Sequence, residues 1–179
     1  MAAAVTCSTV KNDLTGGTGQ WCKGTDGPDT LIGAPTTGDR LEGFAGKDKL
    51  YGLGATDALY GGAGEDEIHG DVAPDSRDAG VANWDALFGG NGADKLYAEG
   101  SDGTEGADVL YAGQDDKPDY LNGGAGDDVY VVDEAAYTHN VDVIDDQILG
   151  EGEDLPSDDR PNVLRAAALN GGPHLYFYP

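Results

Sequence analysis

The sequence predicts an all-β fold, a solenoid whose short parallel strands form two sheets around a leucine-lined interior. Three observations predict it: an excess of Asp and Gly, a nine-residue repeat, and an apolar residue two places after each repeated Asp. Of the 179 residues 30 are Gly, and the 34 acidic residues divide into 26 Asp and 8 Glu. A merely solvated acidic chain would use Glu freely, because Glu suits helix and disorder. Asp and Gly together suit tight turns, where the carboxylate bonds nearby backbone and Gly supplies positive φ. Carboxylates held in turns are also the hard oxygen ligands that Ca²⁺ takes.

The charge balance excludes other classes. With 10 Lys plus Arg the net charge is −24, which repels nucleic acid and anionic membranes. No apolar run approaches the roughly 18 to 20 residues of a membrane-spanning helix. The length suits one domain, and 39% hydrophobic content is enough for a lean core.

Three segments follow in order. Residues 1–23 form an N-terminal cap containing Cys7 and Cys22 but no basic, apolar, small-residue leader pattern. A disulfide stapling this cap to the first coil, worth about 3 kcal/mol, is favoured over zinc binding, which needs more ligands, and over free thiols. It fits an oxidising, extracellular setting.

Residues 24–133 carry the repeat. From Gly43 the chain reads GFAGKDKLY, GLGATDALY and GGAGEDEIH, and the same frame finds GTDGPDTLI, GGNGADKLY and GGAGDDVYV. The sixth-place residues are Asp29, Asp39, Asp48, Asp57, Asp66, Asp85, Asp94, Asp108, Asp119 and Asp128. Two places after each stands Leu31, Leu41, Leu50, Leu59, Ile68, Leu87, Leu96, Leu110, Leu121 or Tyr130. Departures from nine are insertions in turns, after His69, Tyr97 and Tyr111. Each block is a six-residue turn and a three-residue strand whose middle side chain points inward. One Leu cannot bury itself alone, but stacked coils of two turns and two strands share a continuous interior. Turns two blocks apart then stack. Asp29, Asp48, Asp66, Asp94 and Asp119 fall on one edge, and Asp39, Asp57, Asp85, Asp108 and Asp128 on the other. Bare carboxylates so close repel each other, and a divalent cation between successive turns removes the conflict. Five rungs per edge leave room for at most eight inner sites.

These blocks resemble the GGxGxDxUx nonapeptide of the RTX, or haemolysin-type calcium-binding, family. The resemblance implies a parallel β-roll, Ca²⁺ between turns, folding triggered by extracellular calcium, and type I secretion directed by an uncleaved C-terminal segment. It implies that the ten Asp are ligands and that turn glycines, Gly24, Gly43, Gly61, Gly89 and Gly123 among them, supply carbonyls. Gly54 stands third rather than fourth in its block, and Thr37, Trp84 and Pro118 interrupt glycine positions.

Residues 134–179 read as a C-terminal cap, a secretion signal or an assembly surface. A strand pair is expected around Val141, Val143, Ile144, Ile148 and Leu149. An acidic loop over 151–159, a helix or strand in NVLRAAALN and a strand at HLYFY complete it. Asp115-Asp116 and Asp145-Asp146 lack the twelve-residue EF-hand pattern and read as solvated loops.

Ninth places are aromatic at Tyr51, Tyr60, Phe88, Tyr97 and Tyr111, beside His69, and are expected to form outward stripes. Such stripes cover the sheets, bind sugar rings or bind another copy; an ice-binding face would want a regular Thr or Asn array. No catalytic motif appears, and His69, His139 and His174 share no ligand spacing. The expectation is a secreted, non-enzymatic calcium-binding roll whose copies associate into filaments or a surface layer. Alternatives are the calcium-binding and secretion module of a larger type I-secreted enzyme, or a carbohydrate-binding module.

Overall fold

The computed structural model describes residues 6–11, 18–71, 84–98, 108–113, 115, 117–124, 128–133, 143–144 and 162–166. They form β1 (Thr6–Lys11), β2 (Thr18–Lys23), β3 (Thr30–Ile32), β4 (Arg40–Gly46), β5 (Lys49–Leu53), β6 (Ala58–Gly64) and β7 (Glu67–Asp71). There follow β8 (Ala86–Asn91), β9 (Lys95–Tyr97), β10 (Val109–Tyr111), β11 (Tyr120–Asn122), β12 (Val129–Asp133), β13 (Val143–Ile144) and β14 (Asn162–Ala166). No helix occurs among the described residues.

Successive strands alternate between two sheets, as a chain winding through stacked coils must. One sheet runs β1-β2-β4-β6-β8-β10-β12-β14 and the other β13-β11-β9-β7-β5-β3. Every pairing is parallel except β1 with β2, an antiparallel hairpin. The fold is a parallel β-roll.

Register follows from the inward residue. Leu41, Leu59, Leu87, Leu110 and Tyr130 stand opposite one another along the first sheet. Leu31, Leu50, Ile68, Leu96 and Leu121 do so along the second. All ten are fully buried and, with Cys22, Ala98 and Ala112, make one continuous core. A one-residue slip in any strand would turn its Leu to solvent and a neighbouring polar residue inward, so the alternation fixes the pairing.

The structure differs from the six-plus-three reading in strand length. β4 and β6 each run for seven residues, because stacked turns lie at strand spacing and continue the ladder through Phe44↔Gly62, Ala45↔Ala63 and Gly46↔Gly64. This second place in the turn requires positive φ: 110° at Gly62 and 111° at Gly90. Phe44 is held there at φ 77° although it has a side chain, and that side chain is exposed. Leu53 and Ala55 share this backbone strain at φ 86° and 73°.

The N-terminal hairpin is tied by Cys7–Cys22, which face each other across β1 and β2. β2 lies in the sheet of the roll, parallel to β4, with Cys22 opposite Leu41 and wholly buried. At the other end, β13 extends the second sheet beside β11 and β14 extends the first beside β12. NVLRA is thus a strand. The acidic stretch 151–159, HLYFY, Val141, Ile148, Leu149 and Asp145-Asp146 lie outside the described residues, as do most of the three insertions.

Two stability outcomes are expected in calcium. Leu59→Ala should lower unfolding stability by about 3 kcal/mol, while Ile32→Ala, at an exposed position, should change it by less than about 1 kcal/mol. Phe44→Gly should raise stability by about 0.5–1 kcal/mol, because relief of the positive φ outweighs the added chain entropy of Gly. Chemical denaturation midpoints check both.

Candidate metal centre

Each sixth-place Asp from Asp29 to Asp108 is fixed by its own backbone. Its N–H donates to Oδ1 of the Asp one coil further on, and its carbonyl accepts from the residue after that Asp. On the first edge Asp29 N donates to Asp48, Asp48 to Asp66, Asp66 to Asp94 and Asp94 to Asp119, each at 2.8 Å. On the second, Gln20 N donates to Asp39, Asp39 to Asp57, Asp57 to Asp85, Asp85 to Asp108 and Asp108 to Asp128, at 2.6–2.9 Å. The carbonyls of Asp29, Asp48, Asp66 and Asp94 accept from Lys49, Glu67, Lys95 and Tyr120, each at 2.9 Å. Two ladders of carboxylates result, and Asp39 to Asp128 are all buried.

One oxygen of each rung after Asp29 is thereby engaged, and in several rungs the other is not. Oδ2 of Asp48, Asp57, Asp66 and Asp94 is buried without a hydrogen-bond partner. These orphans do not face apolar side chains. Asp48 Oδ2 and the Gly61 carbonyl converge on the spot a side chain at Gly43 would fill, each 2.5 Å from it. Beside Gly61 the same spot is shared by Asp66 Oδ2 and the Gly89 carbonyl, and beside Gly24 by Asp29 Oδ2 and the Gly43 carbonyl. The carbonyls of Gly43, Gly61 and Gly89 thus meet the ladder. Sequence reasoning missed the equivalent carbonyls of Gly52, Gly70, Ala98 and Ala112. Any residue carries a carbonyl, so only the stacking reveals which ones converge.

The last turn differs. Beside Gly123 the spot is shared by Asp128 Oδ2 and the Tyr130 hydroxyl, which also accepts the Gly123 N–H at 3.0 Å. Tyr130 stands where earlier coils have Leu, and its longer ring reaches the place that the next coil's carbonyl takes elsewhere. A second departure is Asp115, read from the sequence as solvated. Its Oδ2 accepts the Gly92 N–H at 2.5 Å, which holds it over the turn of Asp94.

The electrostatics follow from burial. Desolvation is the largest influence on each shifted rung, with repulsion from neighbouring carboxylates adding to it. Asp66 is pushed up to about 6, and Asp94 and Asp108 to about 7. Asp57 and Asp85, adjacent on the second ladder, are raised well above the ordinary carboxylate range by desolvation and by each other or their neighbours. Backbone N–H donors oppose this without cancelling it. Among the described residues no three acidic, His or Cys side chains gather at one point. A cation here would be held by carboxylates together with turn carbonyls, hard oxygen donors that fit Ca²⁺.

A scan against known families matches the RTX calcium-binding nonapeptide repeat, in four copies, over residues 37–75, 80–102 and 101–130. The chain belongs to the RTX calcium-binding family. No curated protein and no solved structure is similar enough to match it. The register of the roll extends one coil before the matched region, since β2 pairs parallel with β4 and β3 with β5.

The raised carboxylates give a pH dependence with a definite sign. In chelator, a folded value above the unfolded 3.8 means that stability is fully present below about pH 4 and is lost as pH rises through 6 to 7. Chelated RTX chain should therefore hold more β-structure at pH 5 than at pH 8. Calcium should reverse the order, because ligation needs the ionised form. Circular dichroism across this range, with and without calcium, checks both halves.

Proposed function

We propose that this calcium-binding β-roll works outside the cell as a structural element that folds where calcium is abundant, and that its copies associate end to end. The observation that carries the reading is the pair of buried ladders. Without a cation their carboxylates are held together against desolvation and mutual repulsion, so the folded state depends on the ion. Two features support the setting: calcium is plentiful outside cells, and Cys7–Cys22 suits an oxidising compartment. Export by a type I route, with residues 134–179 as its signal, belongs to the same reading.

End-to-end association is supported by the sheet edges. Among the described residues β3 pairs only with β5, so one side of its backbone is open, and its last residue, Ile32, is exposed. β13 and β14 end the two sheets at the opposite pole with the same strand direction. A head-to-tail contact that does not close into a ring makes filaments.

A carbohydrate-binding role gains less support than bare stripes would give it. The rings lie half-buried against each other rather than open: Tyr60 stacks on Phe88 at 4.7 Å, and His69 lies between Tyr51 and Tyr97 at 5.1 and 4.8 Å. Their faces, which a sugar would use, are taken by neighbouring rings. We assign no reaction to the chain, and His69, which also bonds Glu67, serves packing. Service as the calcium module of a larger secreted enzyme remains the second reading, favoured by the self-sufficient roll.

Light-scattering mass of the purified chain, titrated from chelator into millimolar calcium, tests the assembly. Growth into large particles that chelator disperses is expected. A folded particle of monomer mass at high calcium would falsify end-to-end association and leave the module reading.

A further inference from the structure

The two sheets of the roll differ in length, and the difference is shared between the two ends. β2 with β3, β4 with β5, and so on to β12 with β13 are the paired strands of six successive coils. The first sheet has one strand more at each pole, β1 beyond β2 and β14 beyond β12. Among the described residues no strand of the second sheet lies beyond β3 or β13. Each pole is therefore a step one strand high, with the raised half on the first sheet at both. Cys7 marks the upper step. It is in line with Cys22 and Leu41 in the inward column, yet it is exposed, with no strand of the second sheet across from β1.

Two copies stacked the same way round would set β1 of one on β14 of the other. That leaves a hole two strands deep between β13 and β3. Turning one copy by half a turn about the roll axis brings raised half against recessed half instead. β14 then meets β3 of the next copy, β13 meets its β1, and both sheets run on without a gap. The half-turn keeps the sense of winding, so β14 and β3 lie parallel, as neighbouring coils do within the roll. Register continues as well. Ile144 is paired with Leu121 and Val163 with Tyr130, which puts both at the inward place held by Cys7 and Leu31 at the other pole.

The backbone of β3 is ready for such a neighbour. Gly33 N–H and the Asp29 carbonyl point to the next coil of the same copy, bonding Tyr51 and Lys49 at 2.8 and 2.9 Å. The alternate residues Thr30 and Ile32 therefore turn their N–H and carbonyl groups to the open side. Charge selects unlike poles. Residues 1–49 hold five Lys or Arg against six acidic residues, net −1, whereas residues 50–179 hold five against 28, net −23. Tail against tail would bring the acidic parts together, while head against tail sets the acidic part beside the nearly neutral one.

We propose that successive copies interlock with a half-turn between them, the recess beside β3 taking β14 of one neighbour while β1 fills the recess beside β13. The inference rests on the end-to-end reading above and specifies its geometry. Electron microscopy of assemblies of the full chain, grown in millimolar calcium, reads that geometry without any substitution. From β2 to β14 the first sheet has seven strands, so interlocked copies should repeat at about 34 Å along the axis with a rotation near half a turn. Stacking the same way round adds the β1 level and gives about 38 Å with no rotation.

Ile32→Pro removes one N–H from the open side of β3 and no bond within its own copy. It should raise the critical concentration for assembly in calcium by about 10-fold. Ile32→Ala keeps the N–H and should assemble like the unaltered chain; circular dichroism in calcium checks that both variants fold. A repeat near 38 Å without rotation overturns the interlock and leaves end-to-end association standing. So does a folded Ile32→Pro chain that assembles as readily as Ile32→Ala. A chain that stays monomeric at every calcium concentration overturns both the interlock and the end-to-end reading beneath it.

Discussion

The structure depends on one repeated hydrogen bond, from the backbone N–H of each ladder Asp to the carboxylate one coil on. It makes the turns stack at strand spacing, which places the inward Leu residues in register and lets two thin sheets share a core. The same bond creates the difficulty that the ion resolves. By holding carboxylates in a dry column it raises the free energy of their charged form, and no Lys or Arg is paired with a ladder carboxylate by an ion pair among the described residues. The basic residues are spent on the outer faces, where Lys49 meets Glu67 and Arg40 meets Glu42, each at 2.7 Å and partly exposed. Such surface pairs contribute little. The roll is consequently a fold whose interior is stable and whose edges are not, unless the edges are loaded.

The outer faces carry a second columnar order. On one sheet Tyr51, His69 and Tyr97 stack and Tyr120 tilts against the end of the column; on the other Tyr60, Phe88 and Tyr111 do the same. Arg40 lies between Trp21 and Tyr60, 5.1 Å from each ring. Rings in successive coils sit at about the 4.8 Å strand spacing, close to their own stacking distance, so parallel pairing brings them into contact without further adjustment. Solenoid geometry thus rewards the same residue type at the same place in each coil, inside with Leu and outside with aromatics.

Much of this was legible in the sequence, because a periodic fold writes its contacts as spacings. Ten Asp, each followed two places later by an apolar residue, define the sheets, the core and which carboxylates share an edge. What escaped has physical reasons. The first coil was hidden because Gln20 and Cys22 stand where Asp and Leu would, yet the Gln20 amide still meets Asp39 and Cys22 still fills the core. The stripes were visible as outward positions, but their closing on themselves was not, since that depends on ring planes. Tyr130 looked like a tolerated variant of Leu, and only its reach to Gly123 shows a different use.

The ladder bond also has a direction. Each coil presents its amide to the carboxylate of the coil that follows, so loss of order at the N-terminal end would release a negative charge from its donor, whereas loss at the other end leaves only an idle amide. The two poles of the molecule are therefore unequal in what their fraying does. Gln20, which supplies the first donor of the second edge, sits on the hairpin that Cys7 and Cys22 clamp. The covalent link stands at the pole from which unravelling would run through the array, and it acts there as a stopper for a polar cable.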